Sequence, residues 1–270
     1  MMSFLQIREK RNNMLLAIDA GNTNIVFALH DDEKIIHKWR ISSADSRTAD
    51  EYMVWLSQLM NFENLEASDI TGAIIATVVP QTLFPLQLLC RRYFNCTALV
   101  VGDDGIDLNV KVKLPNPAEV GADRLVNALA AHKRYKGPMV IIDFGTATTF
   151  DVIDENGDYY GGVISPGVNL SVEALSMAAA KLPRVAVEKP DRIIGNNTIS
   201  AIQSGIFYGY LSMIEGMATR IALEFGRPMK VLATGGLAPL FNEATDIIEF
   251  VDQELTTYGL FEIYWANQNK

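Results

Sequence analysis

Two stretches of the chain repeat one arrangement. "LLAIDAGNTNIVFALHD" (15–31) is an apolar run that stops on a carboxylate, Asp19, turns through Gly21, Asn22 and Thr23, and resumes as a second apolar run from Ile25 to Leu29. "MVIIDFGTATTFDVID" (139–154) does the same with Asp143, Gly145 and Thr146. Runs of this kind read as buried strands. A buried strand that ends on an acid needs a reason, because an uncompensated carboxylate is costly to remove from water.

The segments after the two hairpins also match. "KIIHKWRI" (34–41) and "YYGGVI" (159–164) read as third strands. In the first half the pattern then predicts a helix over 46–62, capped by Ser46 or Thr48. A strand over 72–79 comes next, then a helix over 82–94 with Pro85 in its first turn. A strand over 97–102 and a helix over 122–135, closed by Gly137-Pro138, complete that half. The second half predicts helices near 168–180 and 198–225 and a strand over 230–236. A short helix, a strand over 246–251 and a last helix near 256–267 end it. Aligning Asp19 with Asp143 sets Gly21 on Gly145 and Asn22-Thr23 on Thr146-Ala147. This is an internal duplication, and alternating strands and helices imply an α/β fold with mixed sheets. The expected lobes are 14–136 and 137–270, with a cleft between them and the last helix placed to pack back on the first lobe. Residues 1–13, with "REKR" but no apolar core, read as a disordered extension or an upstream start rather than a secretory signal.

Composition narrows the partners. Of 270 residues, 49% are hydrophobic and 20% charged, which supports real cores in two lobes and excludes a disordered chain. The net charge of −9 gives no general attraction to nucleic acid or anionic membranes, so neither is expected as a partner. No apolar run approaches the roughly 20 residues of a membrane span. Cys90 and Cys96 fit no zinc spacing and read as small buried hydrophobes in a reducing cytoplasm. His30, His37 and His132 stand outside metal-ligand spacing and read as surface or boundary residues.

A strand–turn–strand with glycine and small polar residues brings backbone N–H groups close to an anion. Asp19 cannot bind phosphate itself, but it can hold a hydrated Mg²⁺ that does. The same logic makes Asp143, Gly145 and Thr146 a second phosphate turn. Neither is a P-loop, since GxxxxGK[ST] is absent, nor a Rossmann turn. Alone, "DAGNT" reads equally well as a hairpin with an Asx-type turn. Two at equivalent places in a duplicated chain favour phosphate binding. In "NPAEVGADRLVNALAAH" (116–132), Asp123 and Arg124 stand at a helix start, where an acid is often only a favourable dipole contact.

Paired phosphate hairpins on duplicated lobes resemble the superfamily of actin, sugar kinases, acetate kinase and heat-shock ATPases, whose lobes are ribonuclease H-like. In that superfamily a turn such as Gly235-Gly236 in "VLATGGLAPLF" (231–241) lies against the adenosine. "NPAEVGADR", "DFGTATTFD", "GGVISPG" and "IGNNTISAIQSGIFYG", spread in order over nearly the whole chain, are similar to type III pantothenate kinases. The resemblance implies ATP-dependent phosphorylation of pantothenate to 4′-phosphopantothenate, the first step toward coenzyme A. It implies Asp123 as the proton acceptor and Gly121, Ala122, Asp123, Arg124 and Thr198 as the pantothenate site. Asp19, Ala20, Gly21, Asn22, Thr23, Asn24, Ile25 and Val26 would bind ATP, with Mg²⁺ held at Asp19 through water. Thr146 would meet the nucleotide phosphates and Asp143 a monovalent cation, K⁺ or NH₄⁺. The family is dimeric through the region of 198–225, which implies a cytoplasmic homodimer with partly shared sites. One departure is Leu114, where family members commonly carry a substrate-touching tyrosine. The rival readings are a kinase of the same superfamily acting on another small alcohol, and a nucleotide-binding accessory regulator of transcription without turnover.

Overall fold

A computed structural model describes residues 14–31, 34–43, 47–179 and 182–268. Residues 1–13 and Ser46 lie outside them. The chain forms two compact units, one of residues up to Leu108 together with Thr257 onward, the other Asn109–Thr256.

The first unit opens with β1 (Met14–Ala20), β2 (Asn24–His30) and β3 (Ile35–Ser42). Then come α1 (Ala49–Phe62), β4 (Ile70–Thr77), α2 (Pro80–Tyr93) and a two-residue β5 (Leu99–Val100). The sheet order is β3-β2-β1-β4-β5, antiparallel on the β2 side of β1 and parallel on the β4 side. Alternation along β1 sends Leu16, Ile18 and Ala20 into a core with Phe27, Tyr52, Leu56, Leu86 and Cys90. Thr48 caps α1 through a capping box with Glu51. Helix α2 starts earlier than its pattern suggests. Pro80, not Pro85, occupies the first turn, where its fixed φ and missing N–H suit the helix start, and Pro85 lies one turn further in.

The second unit begins with α3 (Ala122–Tyr135), β6 (Met139–Phe144), β7 (Ala147–Ile153) and β8 (Tyr159–Pro166). It continues through α4 (Val168–Ala178), α5 (Thr198–Phe225), β9 (Lys230–Gly235), α6 (Ala238–Asn242) and β10 (Phe250–Val251). Its sheet order, β10-β9-β6-β7-β8, is the first sheet's order with each strand replaced by its counterpart. The antiparallel and parallel pairings match one for one as well. The duplication read from two hairpins therefore extends over all ten strands of the described residues. The final helix, α7 (Leu255–Gln268), belongs mostly to the first unit, where the Phe261 ring stacks on His30 at 5.1 Å. Compact units and sequence halves thus differ: α3 is counted with the second sheet and α7 with the first. His30 departs from its expected boundary position and is buried, only 2% exposed.

Strands β5 and β10 are two residues long, against expected runs of six. Both are sheet edges, and single backbone bonds beside them, Val101 N–H to Ile75 O and Glu249 N–H to Val231 O, extend the pairing without lengthening the strand. Cys90 is buried and Cys96 half-buried, both as free thiols.

One face of the second sheet packs on α5 and α6 through Phe144, Phe150, Phe207, Ile214 and Phe241. The Phe241 ring stacks on Phe144 at 5.0 Å and on Phe207 at 5.4 Å. Phe241→Ala should therefore cost about 3–5 kcal/mol by cavity formation and lost transfer energy. Phe62→Ala, at a site 79% exposed, should move stability by about 0.5 kcal/mol or less. Urea denaturation of the two variants checks both values.

Candidate functional site

In the first unit Asp19 sits one residue before the end of β1, paired with Val26 on β2 and Ala76 on β4. It alternates with the core residues Ile18 and Ala20, so its side chain leaves on the opposite face. The Gly21 N–H donates to the Asn24 carbonyl at 3.0 Å and closes the turn. Ser43 holds the turn from outside. Its Oγ donates to the Gly21 carbonyl at 2.5 Å, and its N–H donates to Thr23 O at 2.9 Å. Asn22 and Thr23 are exposed, Asn24 and Val26 half-buried, Ala20 and Ile25 buried. A Cβ on Gly21 would meet nothing nearer than the Asn24 carbonyl at 3.4 Å, and its φ is not positive. Nothing inside the protein requires glycine there. A side chain there would fill open space beside the turn.

In the second unit the same turn recurs, shorter by one residue. The Gly145 N–H donates to Ala147 O at 3.0 Å, and Asp143 pairs with Thr149 across the hairpin. The register gives Asn22-Thr23 no one-to-one match with Thr146-Ala147. A Cβ on Gly145 would lie 3.5 Å from its nearest neighbour, so this glycine is also free of internal demand, and Thr146 is exposed. The glycines around the turn are different. A Cβ on Gly167 would overlap the Thr146 carbonyl oxygen, and its N–H donates to that oxygen at 3.1 Å. Gly235, at φ +88°, would put a Cβ 2.8 Å from Asp143 Oδ1. The motifs ending "SPG" and "ATGG" thus brace the second turn and its carboxylate.

Helix α3 brings the remaining residues to the Asp143 face of the sheet. Gly121 is its N-cap, Ala122 its first residue, and Asp123 stands in the first turn. The Arg124 N–H donates to Asp123 Oδ1 at 2.9 Å and fixes the carboxylate's orientation. Burial pushes the Asp123 carboxyl above its ordinary value, opposed by the Arg124 amide and the Arg124 charge. One turn on, Asn127 is 1% exposed. Its Nδ2 donates to Asp143 Oδ2 at 3.4 Å, and its Oδ1 accepts from Thr256 Oγ1 at 2.8 Å. Asn127 was not foreseen, although an amide inside the apolar "LVNALAA" was a visible signal.

Arg124 does not project into open solvent. Its Nε donates to Asp151 Oδ1 at 2.6 Å, and its Nη2 lies 2.6 Å from the same oxygen. Thr198 is the first residue of α5, exposed, behind the Asn197 cap. No hydrogen bond among the described residues ties it to α3. Leu114 is half-buried, and a Cβ on Gly161 would touch it at 3.8 Å. Within the first unit Asp19 and Thr23 beside Gly21, and within the second Asp143 and Thr146 beside Gly145, offer hard oxygen donors of the kind that could hold a hard cation.

The two classes of glycine separate in a stability measurement. Gly21→Ala should shift the unfolding free energy by about 1 kcal/mol or less. Gly167→Ala should cost about 1–3 kcal/mol, because the Thr146 backbone must yield. Thermal unfolding of each variant without ligand reads the difference.

A family model described as type III pantothenate kinase matches residues 15–220. The chain is 61% identical over 254 residues to a type III pantothenate kinase of Paramagnetospirillum magneticum, covering 94% of this chain and 98% of the relative. It is 58% identical over 255 residues to one of Rhodospirillum rubrum, covering 94% and 99%. Among solved structures, component A of (R)-2-hydroxyglutaryl-CoA dehydratase from Acidaminococcus fermentans aligns with a TM-score of 0.54 at 14% identity, covering 96% of this chain and 100% of that one. At such low identity the likeness concerns the fold alone. With its duplicated sheets, paired turns and near-full-length relatives, the chain belongs to the type III pantothenate kinase family.

Proposed function

We propose that the chain transfers the γ-phosphoryl group of ATP to the hydroxyl of pantothenate, giving ADP and 4′-phosphopantothenate, with Asp123 accepting the hydroxyl proton. The observation that carries the assignment of the base is the half-buried, oriented Asp123 at the head of α3, one turn from the Asn127–Asp143 contact.

Phosphoryl transfer passes through a loose transition state, so the protein mostly positions groups and balances charge. In this reading the first turn, Asp19 to Val26, and Thr146 of the second receive the ATP phosphates. Mg²⁺ at Asp19, through water, supplies neutralising positive charge when bound. Asp143 is the ligand for K⁺ or NH₄⁺, and Asn127 holds its carboxylate in place. Gly121, Ala122, Arg124 and Thr198 form the pantothenate site. The acceptor alcohol loses its proton late, so a carboxylate is a sufficient base. Among the described residues no helix is long and apolar enough to cross a membrane, and the proposed place of action is the cytoplasm.

Asp123 works as a base only when ionised. Its raised pKa therefore moves the acid limb of kcat upward, above the ordinary carboxylate value of about 3.9. Activity falls as pH drops through that raised value. Asp123→Asn should abolish the limb and lower kcat by about 10²–10⁴-fold while leaving ATP affinity within about twofold. Comparable loss of kcat and ATP affinity would make Asp123 structural.

The homodimer belongs to the same proposal. Gly205 and Gly209 lie exposed on α5, and a Cβ on either would meet nothing within 4 Å. Packing inside the chain therefore does not explain them, whereas close approach of a second helix does. Sedimentation equilibrium should give twice the 29.8 kDa chain mass. A monomer with full activity would refute the shared-site arrangement.

A further inference from the structure

Asp151 lies in the middle of β7, opposite Ile141 on β6 and Gly162 on β8, and its residue is wholly buried. A buried carboxylate is tolerated only when its lone pairs are used. Here both oxygens are served. Oδ1 takes the Arg124 Nε and Nη2 contacts at 2.6 Å and the Tyr159 hydroxyl at 2.8 Å. Oδ2 takes the Thr149 hydroxyl at 3.0 Å. The Arg124 guanidinium also lies over the Tyr159 ring, 5.4 Å from its centroid. Gly162 makes the room: a Cβ there would come within 2.6 Å of Arg124 Nη2. Three residues from two strands, Asp151, Tyr159 and Gly162, thus converge on one side chain of α3, with Thr149 behind Asp151, and that side chain follows Asp123 directly. Arg124 joins the two ends, because its own N–H orients the Asp123 carboxylate.

We propose that Asp151 is a positioning residue for the transfer: by gripping the Arg124 guanidinium it fixes the first turn of α3, and with it the direction of the Asp123 carboxylate and of Arg124 toward the acceptor alcohol. The inference rests on the pantothenate kinase reading of this site. Without Asp151 the Arg124 side chain is an unpaired cation beside Asp123, free to turn onto it and to rotate the carboxylate away from the acceptor. Tyr159, Thr149 and Gly162 serve the same grip from the sheet side.

The test is steady-state kinetics of wild type, Asp151→Asn and Asp154→Asn, with both substrates varied. Asp154 is a comparable control. It is a buried carboxylate of the same unit, paired with Lys113 and accepting the Asn156 and Asp158 amides, and no hydrogen bond or ion pair among the described residues ties it to Asp123 or Arg124. Asp151→Asn should lower kcat/KM for pantothenate by about 30-fold or more with KM for ATP within about twofold. Asp154→Asn should lower the melting temperature yet leave pantothenate kinetics within about threefold. Asp151→Asn that melts cooperatively and keeps pantothenate kcat/KM within about threefold overturns the proposal, as does an equal loss in Asp154→Asn. Should Asp151→Asn fail to fold, Tyr159→Phe decides, since it keeps the ion pair and removes one donor. A fall of about 3–10-fold in pantothenate kcat/KM at unchanged ATP KM supports the grip, and unchanged kinetics overturns it. A wild-type chain without pantothenate-dependent turnover removes the reading of the site, and the inference with it.

Discussion

The structure depends on what happens where a fully paired central strand ends. β1 and β6 each have an antiparallel neighbour on one side and a parallel neighbour on the other, so their backbone groups are satisfied within the sheet. At the end of each strand a carboxylate leaves the sheet on the face away from the main core, and two residues on stands a glycine that no internal contact requires. A charge is tolerated at that place because the sheet stops there. The open space beside the glycine gives the charge something to act on. The surrounding contacts hold these two ends still: Ser43 behind the first turn, Gly167 and Gly235 behind the second, and Asn127 on Asp143.

Electrostatic catalysis of phosphoryl transfer gains from groups that are already in place when charge redistributes. The second unit reaches that condition through buried polar contacts rather than rigid backbone alone. Asn127 and Arg124 leave adjacent turns of α3 toward Asp143 and Asp151, which share one face of the sheet. Each of the two contacts continues to a further hydroxyl, Thr256 for Asn127 and Thr149 or Tyr159 for Asp151. A fully satisfied polar network of this kind specifies one arrangement of helix on sheet, whereas an apolar contact would tolerate sliding.

Much of this was legible in the sequence. The bounds of α3 and α5 coincide with the periodic runs at 122–135 and 198–225, because clear signals punctuate them: Gly121 before α3, Asn197 before α5 and Gly226 after it. The duplication was legible from two hairpins, since strand, acid and glycine are local features. What escaped is non-local. Which sheet α3 covers depends on contacts with β6 and β7, not on its own periodicity. His30 is buried because Phe261, more than two hundred residues away, stacks on it. Gly162 read as part of the strand 159–164 and Gly167 only as the end of "GGVISPG" until Arg124 and Thr146 appear against them. Asp151 closes the motif "DFGTATTFD", and an acid among apolar strand residues was the available clue, but its partner lies on a helix 27 positions earlier. The one-residue difference between the two turns was likewise invisible until strand register fixed the pairings.

The central claim is that phosphoryl groups go to an alcohol held beside Asp123 and not to water. Phosphorus NMR of the chain with Mg-ATP, K⁺ and pantothenate tests it most directly. The predicted result is a phosphomonoester signal that grows in step with ADP and depends on pantothenate. Inorganic phosphate appearing in step with ADP, with or without pantothenate, would contradict it.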